Sequence, residues 1–213
     1  MSSKSMRRQA ALTHFPSPID HEAVAKLSSD EKIAAIAPHI QAIMEILGLD
    51  LTHESIKRTP ERVAAMYVNE VFAGLALDAF PDGTVFGPEG SAEGRLVLTR
   101  VNIVSFCEHH LVPMVGSAYI GYLPRDSIIG LSKLSRVAQY FAARPQLQER
   151  LTAQIGDSLA TLLGHLDVAV LIKAKHTCVA ARGAKDDNAL TTTLHTSGRF
   201  ATSCERRKEF LDM

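Results

Sequence analysis

The sequence predicts an α+β fold in which helices cover one face of an antiparallel four-stranded sheet, preceded by an N-terminal helical extension. Two observations support this prediction. Apolar residues recur at helical spacing in the first third of the chain, whereas β-branched segments of strand length begin only after about residue 95. From there the elements follow the order strand, strand, helix, helix, strand, strand (ββααββ), which is typical of a layered α+β domain.

Composition limits the classes of function. Of the 213 residues, 46% are hydrophobic and 22% are charged, as is usual for a chain that buries a core. Lys and Arg together number 23, as do Asp and Glu, so the net charge indicates neither a nucleic-acid nor a membrane partner. Three cysteines are too few for a disulfide scaffold, and the N-terminus lacks the apolar segment of a secretory signal. We therefore expect a cytoplasmic protein.

Periodicity and composition divide the chain into four segments. Polar and basic residues without periodicity come first, then apolar residues at helical spacing, then a stretch rich in Gly and Pro, and finally the strand-forming part. In order, we expect a disordered tail (residues 1–28), a helical region (29–77), a turn-rich linker (78–94) and a sheet domain (95–213).

Two helices are predicted in the helical region. The first begins near Ser29 and ends at Gly48, and Pro38 is expected to kink or restart it because proline lacks a backbone N–H. The second has Thr59 as its N-cap. Arg62 then lies in its first turn, where the helix dipole disfavours a cation unless an anion is nearby. The alternative is an arginine exposed to solvent.

The first two strands of the sheet domain flank a cluster of reactive side chains. Residues 96–104 and 115–123 predict a hairpin, and the segment Cys107-Glu108-His109-His110 lies at its turn. Thiolate and imidazole are ligands that zinc prefers. In a continuing strand Cys107 and His109 would share a face, whereas a turn would favour His110, so spacing alone does not choose between the histidines. The alternative is a strand end with a buried cysteine and no metal.

Two helices and two strands complete the domain. The first helix has Ser132 as its predicted N-cap, with Lys133 and Arg136 in or near the first turn, where an anion would be stabilised. A basic face exposed to solvent is the alternative. A strand beginning at residue 168 is predicted to continue past His176 and Cys178, which would then share one face. The last strand is expected to run from residue 191 to 200, followed by a short C-terminal helix.

Four ordered motifs resemble GTP cyclohydrolase I, and the likeness covers about residues 30–213. The motifs are Cys107-Glu108-His109-His110, Ile129-Gly130-Leu131-Ser132-Lys133, residues 144–151 and residues 176–183. The resemblance implies that the sheet domain is a catalytic domain with the tunnelling fold. It also implies zinc-dependent opening of the guanine imidazole ring of GTP, with release of formate and formation of 7,8-dihydroneopterin triphosphate, the first step of folate and tetrahydropterin biosynthesis.

The resemblance implies a role for each matching residue. The Zn²⁺ ligands would be Cys107, His110 and Cys178, with the fourth position open to water. The proton-transferring residues would be His109 and His176, with Ser132 near the ribose. The guanine would be bound by Glu149 and Gln148. The triphosphate would be bound by Lys133, Arg136 and Arg182, together with Arg62 of an adjacent subunit.

The resemblance further implies a homo-oligomer, a decamer of two pentamers with active sites between subunits. Two other kinds of protein are alternatives: a structural zinc module and a noncatalytic GTP-binding homologue. A structural zinc module would need a fourth protein ligand, for which Cys204 is the remaining cysteine. The resemblance gives Glu108 no role, and we expect it to help fix the turn.

Overall fold

The computed structural model describes residues 18–82, 85–87 and 94–212, which form two compact units. The N-terminal unit is Pro18–Ala79, and the sheet unit contains the described residues from Phe80 onward. No helix within these described ranges is both long enough and apolar enough to cross a membrane.

The N-terminal unit is helical. Helix α2 (Ser29–Ile46) is capped at Ser28, whose hydroxyl accepts from the Glu31 N–H at 3.3 Å while the Glu31 carboxylate accepts from the Ser28 N–H at 2.8 Å. Helix α2 continues through Pro38 as one element, so the predicted restart does not occur. The helices of this unit are α1 (His21–Lys26), α2 (Ser29–Ile46) and α3 (Thr59–Met66).

Three details of this unit differ from the sequence prediction. Helix α1 lies within the predicted tail, of which residues 1–17 are outside the described residues. The N-cap of α3 is Arg58, one residue before the predicted Thr59. Helix α3 is followed by a π-helical turn, Tyr67–Val71, and by short 3₁₀ turns, so the helical periodicity extends beyond the α-helix itself.

The described residues of the sheet unit form one five-stranded sheet and one two-stranded sheet. The elements, in chain order, are β1 (Val85–Phe86), β2 (Val97–Cys107), β3 (Pro113–Tyr122), β4 (Ile128–Ile129), α4 (Leu131–Ala142), β5 (Pro145–Gln146), α5 (Gln148–Leu163), β6 (Val168–His176), α6 (Thr177–Ala180), β7 (Thr191–Thr196), α7 (Arg199–Thr202) and α8 (Cys204–Leu211). The larger sheet has the spatial order β5-β2-β3-β6-β7, and the smaller one pairs β1 with β4.

The predicted four-stranded antiparallel sheet is therefore wrong in strand number. Strands β2, β3, β6 and β7 do pair antiparallel, but β5 adds a fifth strand that pairs parallel with the end of β2. Strand β5 has only two residues, so it has no periodicity to detect. The predicted linker also contains an element, because β1 lies within it. The last predicted strand ends at Thr196, and Phe200 belongs to helix α7.

Helices α4 and α5 pack on one face of the sheet and form the main core. Side chains on β6 alternate between this core and the opposite face, so Val170 and Ile172 join α4 and α5 while Ala169 and Leu171 point away. Nine-tenths or more of each of these core side chains is buried: Ile103, Ile120, Leu134, Phe141, Leu151, Ile155, Val170 and Ile172.

A second, smaller core lies on the opposite face, so the prediction of helices on one face only is wrong. Phe200 of α7 and Phe210 of α8 are fully buried there against Leu171 and its neighbours. A Cβ atom at Gly121 of β3 would lie 2.8 Å from the Phe210 ring, so glycine permits the close approach of α8 to the sheet.

Asp167 connects this C-terminal part to the start of β6. Its side chain is only 1% exposed and accepts hydrogen bonds from the Arg199 backbone N–H at 2.8 Å, from Arg199 Nε at 2.9 Å and from Arg125 Nε at 2.6 Å. Burial raises the pKa of Asp167, but these hydrogen bonds outweigh that effect and hold the pKa below its ordinary value.

Asp167→Asn is expected to lower the free energy of unfolding by about 2 kcal/mol at pH 7, because charged hydrogen bonds to a buried acceptor are lost. Since the folded-state pKa of Asp167 is depressed, its stabilisation is present above the ordinary aspartate pKa and is lost as pH falls through the folded-state pKa. Urea unfolding at a fixed protein concentration should therefore show a difference between the two proteins that shrinks on acidification. Glu209→Gln, which removes an exposed ion pair with Arg206, is the control and should leave the urea midpoint unchanged. A difference independent of pH would contradict this account.

Candidate metal centre

The register of the long strands places two turns side by side. Ser105 of β2 pairs with Met114 of β3, and Met114 pairs in turn with His176 of β6. Because these residues form one row across the sheet, the chain that continues past Ser105 lies beside the chain that continues past His176. Cys107 and Cys178 are each two residues beyond that row.

The turn after β2 brings Cys107 and His110 together. The Leu111 N–H donates to the Cys107 carbonyl at 2.9 Å, and the Cys107 N–H donates to the Val112 carbonyl at 3.0 Å. Leu111 has a φ of 51°, in the left-handed region that is uncommon for leucine. The backbone thus leaves the strand at Cys107, and His110 Nδ1 lies 3.8 Å from Cys107 Sγ. This geometry favours His110 over His109 as the partner of the cysteine.

Cys178 reaches the same place from a helical turn. Strand β6 ends at His176, and Thr177–Ala180 form helix α6, so the prediction that His176 and Cys178 share a strand face is wrong. The Thr177 hydroxyl donates to the Pro113 carbonyl at 2.6 Å and ties this turn to the start of β3.

The three side chains form a group with the donor atoms of a metal site. The ligand atoms of Cys107, His110 and Cys178 all lie within 4.8 Å of one another. Burial raises the pKa of the Cys178 thiol, and the neighbouring Cys107 raises it further. A divalent cation would offset both effects, because it binds thiolate in preference to thiol. Two sulfurs and one imidazole nitrogen suit zinc.

Within the described ranges, no fourth Cys, His, Asp or Glu joins this group. Cys204 is exposed on α8, where its sulfur lies 3.5 Å from Arg207 Nη2. A three-ligand group leaves one position for a non-protein ligand, as in catalytic zinc sites.

His176 is held by a buried glutamine at the start of α5. Gln148 is 2% exposed, and its Nε2 donates to the carbonyls of Ile172 and Thr191 and to the Thr193 hydroxyl, each at 3.1 Å. These acceptors orient the amide so that Oε1 faces His176 Nε2 at 2.8 Å. His176 Nε2 must therefore carry the proton, which leaves Nδ1 as an acceptor. The predicted base-binding side chain of Gln148 is thus engaged within the protein.

The electrostatics of His176 favour the neutral ring. Burial lowers the pKa of His176, and the nearby Glu149 carboxylate opposes this by favouring the protonated form. Glu149 itself is exposed in the first turn of α5. His109 is also exposed, with its ring centroid 6.2 Å from that of His110.

The predicted anion-binding residues lie in three places. Ser132, Lys133 and Arg136 are on α4, but the N-cap of that helix is Gly130, not the predicted Ser132. Arg182 is exposed, and its Nη1 lies 2.9 Å from His110 Nε2. Arg62 belongs to the N-terminal unit, on α3.

Sequence reasoning missed one interaction of this centre. Glu108 forms an ion pair with Arg150 of α5, at 2.6 Å from Arg150 Nη1 and 3.1 Å from Arg150 Nη2. The hydrogen bond from Arg150 holds the pKa of Glu108 below its ordinary value, although burial opposes it. The two residues are 42 positions apart, and no sequence pattern links them.

Two comparisons with known proteins indicate the same family. The family model described as GTP cyclohydrolase I matches residues 36–213. GTP cyclohydrolase 1 of Aeromonas salmonicida is 48% identical over 185 residues, which cover 87% of this chain and 85% of the relative. GTP cyclohydrolase 1 of an Enterobacter species is 42% identical over 214 residues, which cover 97% of this chain and 96% of the relative.

A solved structure shows a weaker likeness. The apo form of an archaeosine synthase QueF-Like aligns with a TM-score of 0.40 and 14% sequence identity. The alignment covers 48% of this chain and 94% of that one.

The purified protein is expected to bind one transition-metal ion per chain, and both Cys107→Ala and Cys178→Ala should lose it because each removes one of three ligands. Cys204→Ala is the matched control and should keep the metal. Mass spectrometry measures the metal content of each variant. Titration with a thiol reagent measures how accessible the remaining cysteines are. Loss of metal from Cys204→Ala would show that the site has a fourth protein ligand.

Proposed function

This chain belongs to the GTP cyclohydrolase I family and has the activity of that family, and we propose that a zinc ion bound by Cys107, His110 and Cys178 is required for it. The activity consumes GTP and water, opens the imidazole ring of guanine, releases formate and gives 7,8-dihydroneopterin triphosphate. The observation that carries the zinc proposal is the convergence of three soft or borderline ligand atoms within 4.8 Å of one another.

The three-ligand geometry supports a catalytic site over a structural one. Cys107, His110 and Cys178 would hold the ion, and the chemistry it would supply is the activation of water as a nucleophile at neutral pH towards C8 of guanine. The chain supplies the ligands, and its cysteine pair contributes the negative charge that balances the ion.

We assign proton transfer to His176 and His109. His176 donates its Nε2–H to Gln148 Oε1, so its Nδ1 can accept a proton and later return it. Because burial lowers the pKa of His176, the ring is neutral and ready to accept at neutral pH. His109 lies next to the proposed ligand His110 and is exposed. Its ring is therefore accessible to a substrate that binds at this site.

Recognition of GTP is assigned to charged groups on α4, on α5 and in the segment after α6, together with one group from an adjacent subunit. The Glu149 carboxylate can accept hydrogen bonds from the N–H groups on the guanine edge, for which adenine has no equivalent. Lys133 lies in the first turn of α4, where backbone N–H groups and a cation together favour phosphate. The proposed triphosphate ligands are Lys133, Arg136 and Arg182, with Arg62 from an adjacent subunit and Ser132 near the ribose.

The open edges of the sheet support assembly into a ring. Among the described residues, β7 pairs only with β6, and β2 before Phe106 pairs only with β3. Each edge therefore presents backbone N–H and C=O groups that can pair with a strand of another copy. We propose that copies join in this way as the tunnelling fold implies, in two pentamers that form a decamer.

Zinc-loaded protein incubated with GTP is expected to release formate, and a chelator should abolish the release. His176→Ala should retain zinc yet lose formate release by about 100-fold or more, because it removes a proton-transferring group without removing a ligand. Formate is measured by coupled oxidation and zinc by mass spectrometry on the same samples.

The outcomes separate the alternatives. Turnover by zinc-free Cys107→Ala would exclude the zinc mechanism. GTP binding without formate from zinc-loaded wild type would indicate a noncatalytic homologue. Full zinc content with neither binding nor turnover would indicate a structural zinc module.

A further inference from the structure

The first turn of α5 contacts both segments that carry metal ligands. Gln148 accepts a hydrogen bond from His176, which lies two residues before Cys178. Arg150 binds Glu108, which follows Cys107 directly in the turn after β2. Glu149, between Gln148 and Arg150, is the proposed guanine ligand. One helical turn thus connects the two halves of the metal centre to the base-recognition residue.

The geometry of the Glu108–Arg150 pair suits a fixed connection. Both carboxylate oxygens accept from the guanidinium, at 2.6 and 3.1 Å, and each side chain is only 19% exposed. A bidentate pair of this kind restricts orientation as well as distance. The Glu108 backbone adds a second connection, because its N–H donates to the Gln146 carbonyl of β5 at 3.0 Å.

The position of Arg150 has an electrostatic disadvantage that Glu108 offsets. Arg150 lies in the first turn of α5, where the helix dipole disfavours positive charge. A carboxylate at that helix end interacts favourably with both the dipole and the guanidinium. The cation is therefore stable in this position when the turn after β2 holds Glu108 against it.

Glu108 occupies the sequence position between the ligand Cys107 and the proposed proton-transferring His109. Its side chain and backbone are both fixed to the segment 146–150, so this turn cannot move relative to Glu149 without breaking those bonds. We propose that Glu108 and Arg150 are positioning residues, whose ion pair sets the metal-binding turn and His109 in place against the guanine-binding turn of α5.

This inference rests on the proposed function, because the positioned groups act in the same reaction. It makes a further claim, that the pair affects zinc binding and the chemical step more than it affects GTP binding or the stability of the sheet. The affinity for zinc can be measured without enzyme turnover, so it tests this effect independently of the reaction.

The test compares Glu108→Gln, Arg150→Gln, the double variant and the conservative Arg150→Lys with wild type. Each single Gln variant should lower kcat by about 10- to 100-fold and change KM for GTP by less than about threefold, because geometry and not substrate binding is lost. Zinc affinity, from competition with a chelator, should fall by about tenfold.

The double variant should have a kcat and a zinc affinity no lower than those of the more impaired single variant, because both substitutions break the same interaction. Arg150→Lys should recover part of the loss, because it keeps the charge but not the bidentate geometry.

Arg125→Gln is the matched control. It breaks another arginine–carboxylate pair, with Asp167, at the opposite end of the same sheet. It should lower the temperature of unfolding while leaving kcat and zinc affinity unchanged.

Three results would overturn the inference. The Gln variants of the pair could resemble Arg125→Gln, with reduced stability and normal kcat and zinc affinity, which would make the pair structural only. The effects of the single variants could multiply in the double variant, which would show that the residues act separately. Unchanged stability, kcat and zinc affinity would show that the pair has no role. A wild-type protein that releases no formate would instead contradict the proposed function, and the zinc affinities would still decide whether the pair positions the turn.

Discussion

The register of three antiparallel strands is the constraint on which this site depends. The row Ser105, Met114 and His176 aligns the end of β2 with the end of β6, so that two short turns far apart in sequence supply ligands to one point. Side chains alternate along a strand with period 2, so a slip of one residue would send His176 to the opposite face and move Cys178 away from Cys107. The large core beneath α4 and α5 makes such a slip costly, because it would remove residues such as Val170 and Ile172 from that core.

The proposed chemistry depends on how the fold places ionisable side chains at this site. Burial and the neighbouring Cys107 disfavour ionisation of the Cys178 thiol without a metal, and Arg182 brings a cation to within 2.9 Å of His110 Nε2. Gln148 and Arg150, by contrast, are engaged within the protein. Gln148 uses its amide to fix the tautomer of His176, and Arg150 uses its guanidinium to fix Glu108. The site thus combines internally bonded side chains with the exposed residues Glu149, His109 and Arg182, to which we assign substrate contacts.

The sequence predicted the long helices and strands, whose apolar residues recur regularly, and the residues that lie within one motif. It did not predict features that depend on contacts between distant parts of the chain. The spacing of Cys107 and His110 allowed a shared metal, but the choice of His110 depends on the turn at Leu111. The position of Cys178 was predicted wrongly because nothing in residues 168–180 marks the end of β6 at His176. Strand β5 is too short to detect, and α8 covers the second sheet face through a single buried residue, Phe210.

The most direct test of this account is a crystal structure of the His176→Ala variant with GTP, recorded at the zinc absorption edge. The account predicts one anomalous peak bonded to Cys107 Sγ, His110 and Cys178 Sγ, with C8 of guanine facing the open coordination position and Glu149 on the guanine edge. A zinc ion with a fourth protein ligand, or a guanine base bound away from the metal, would contradict it.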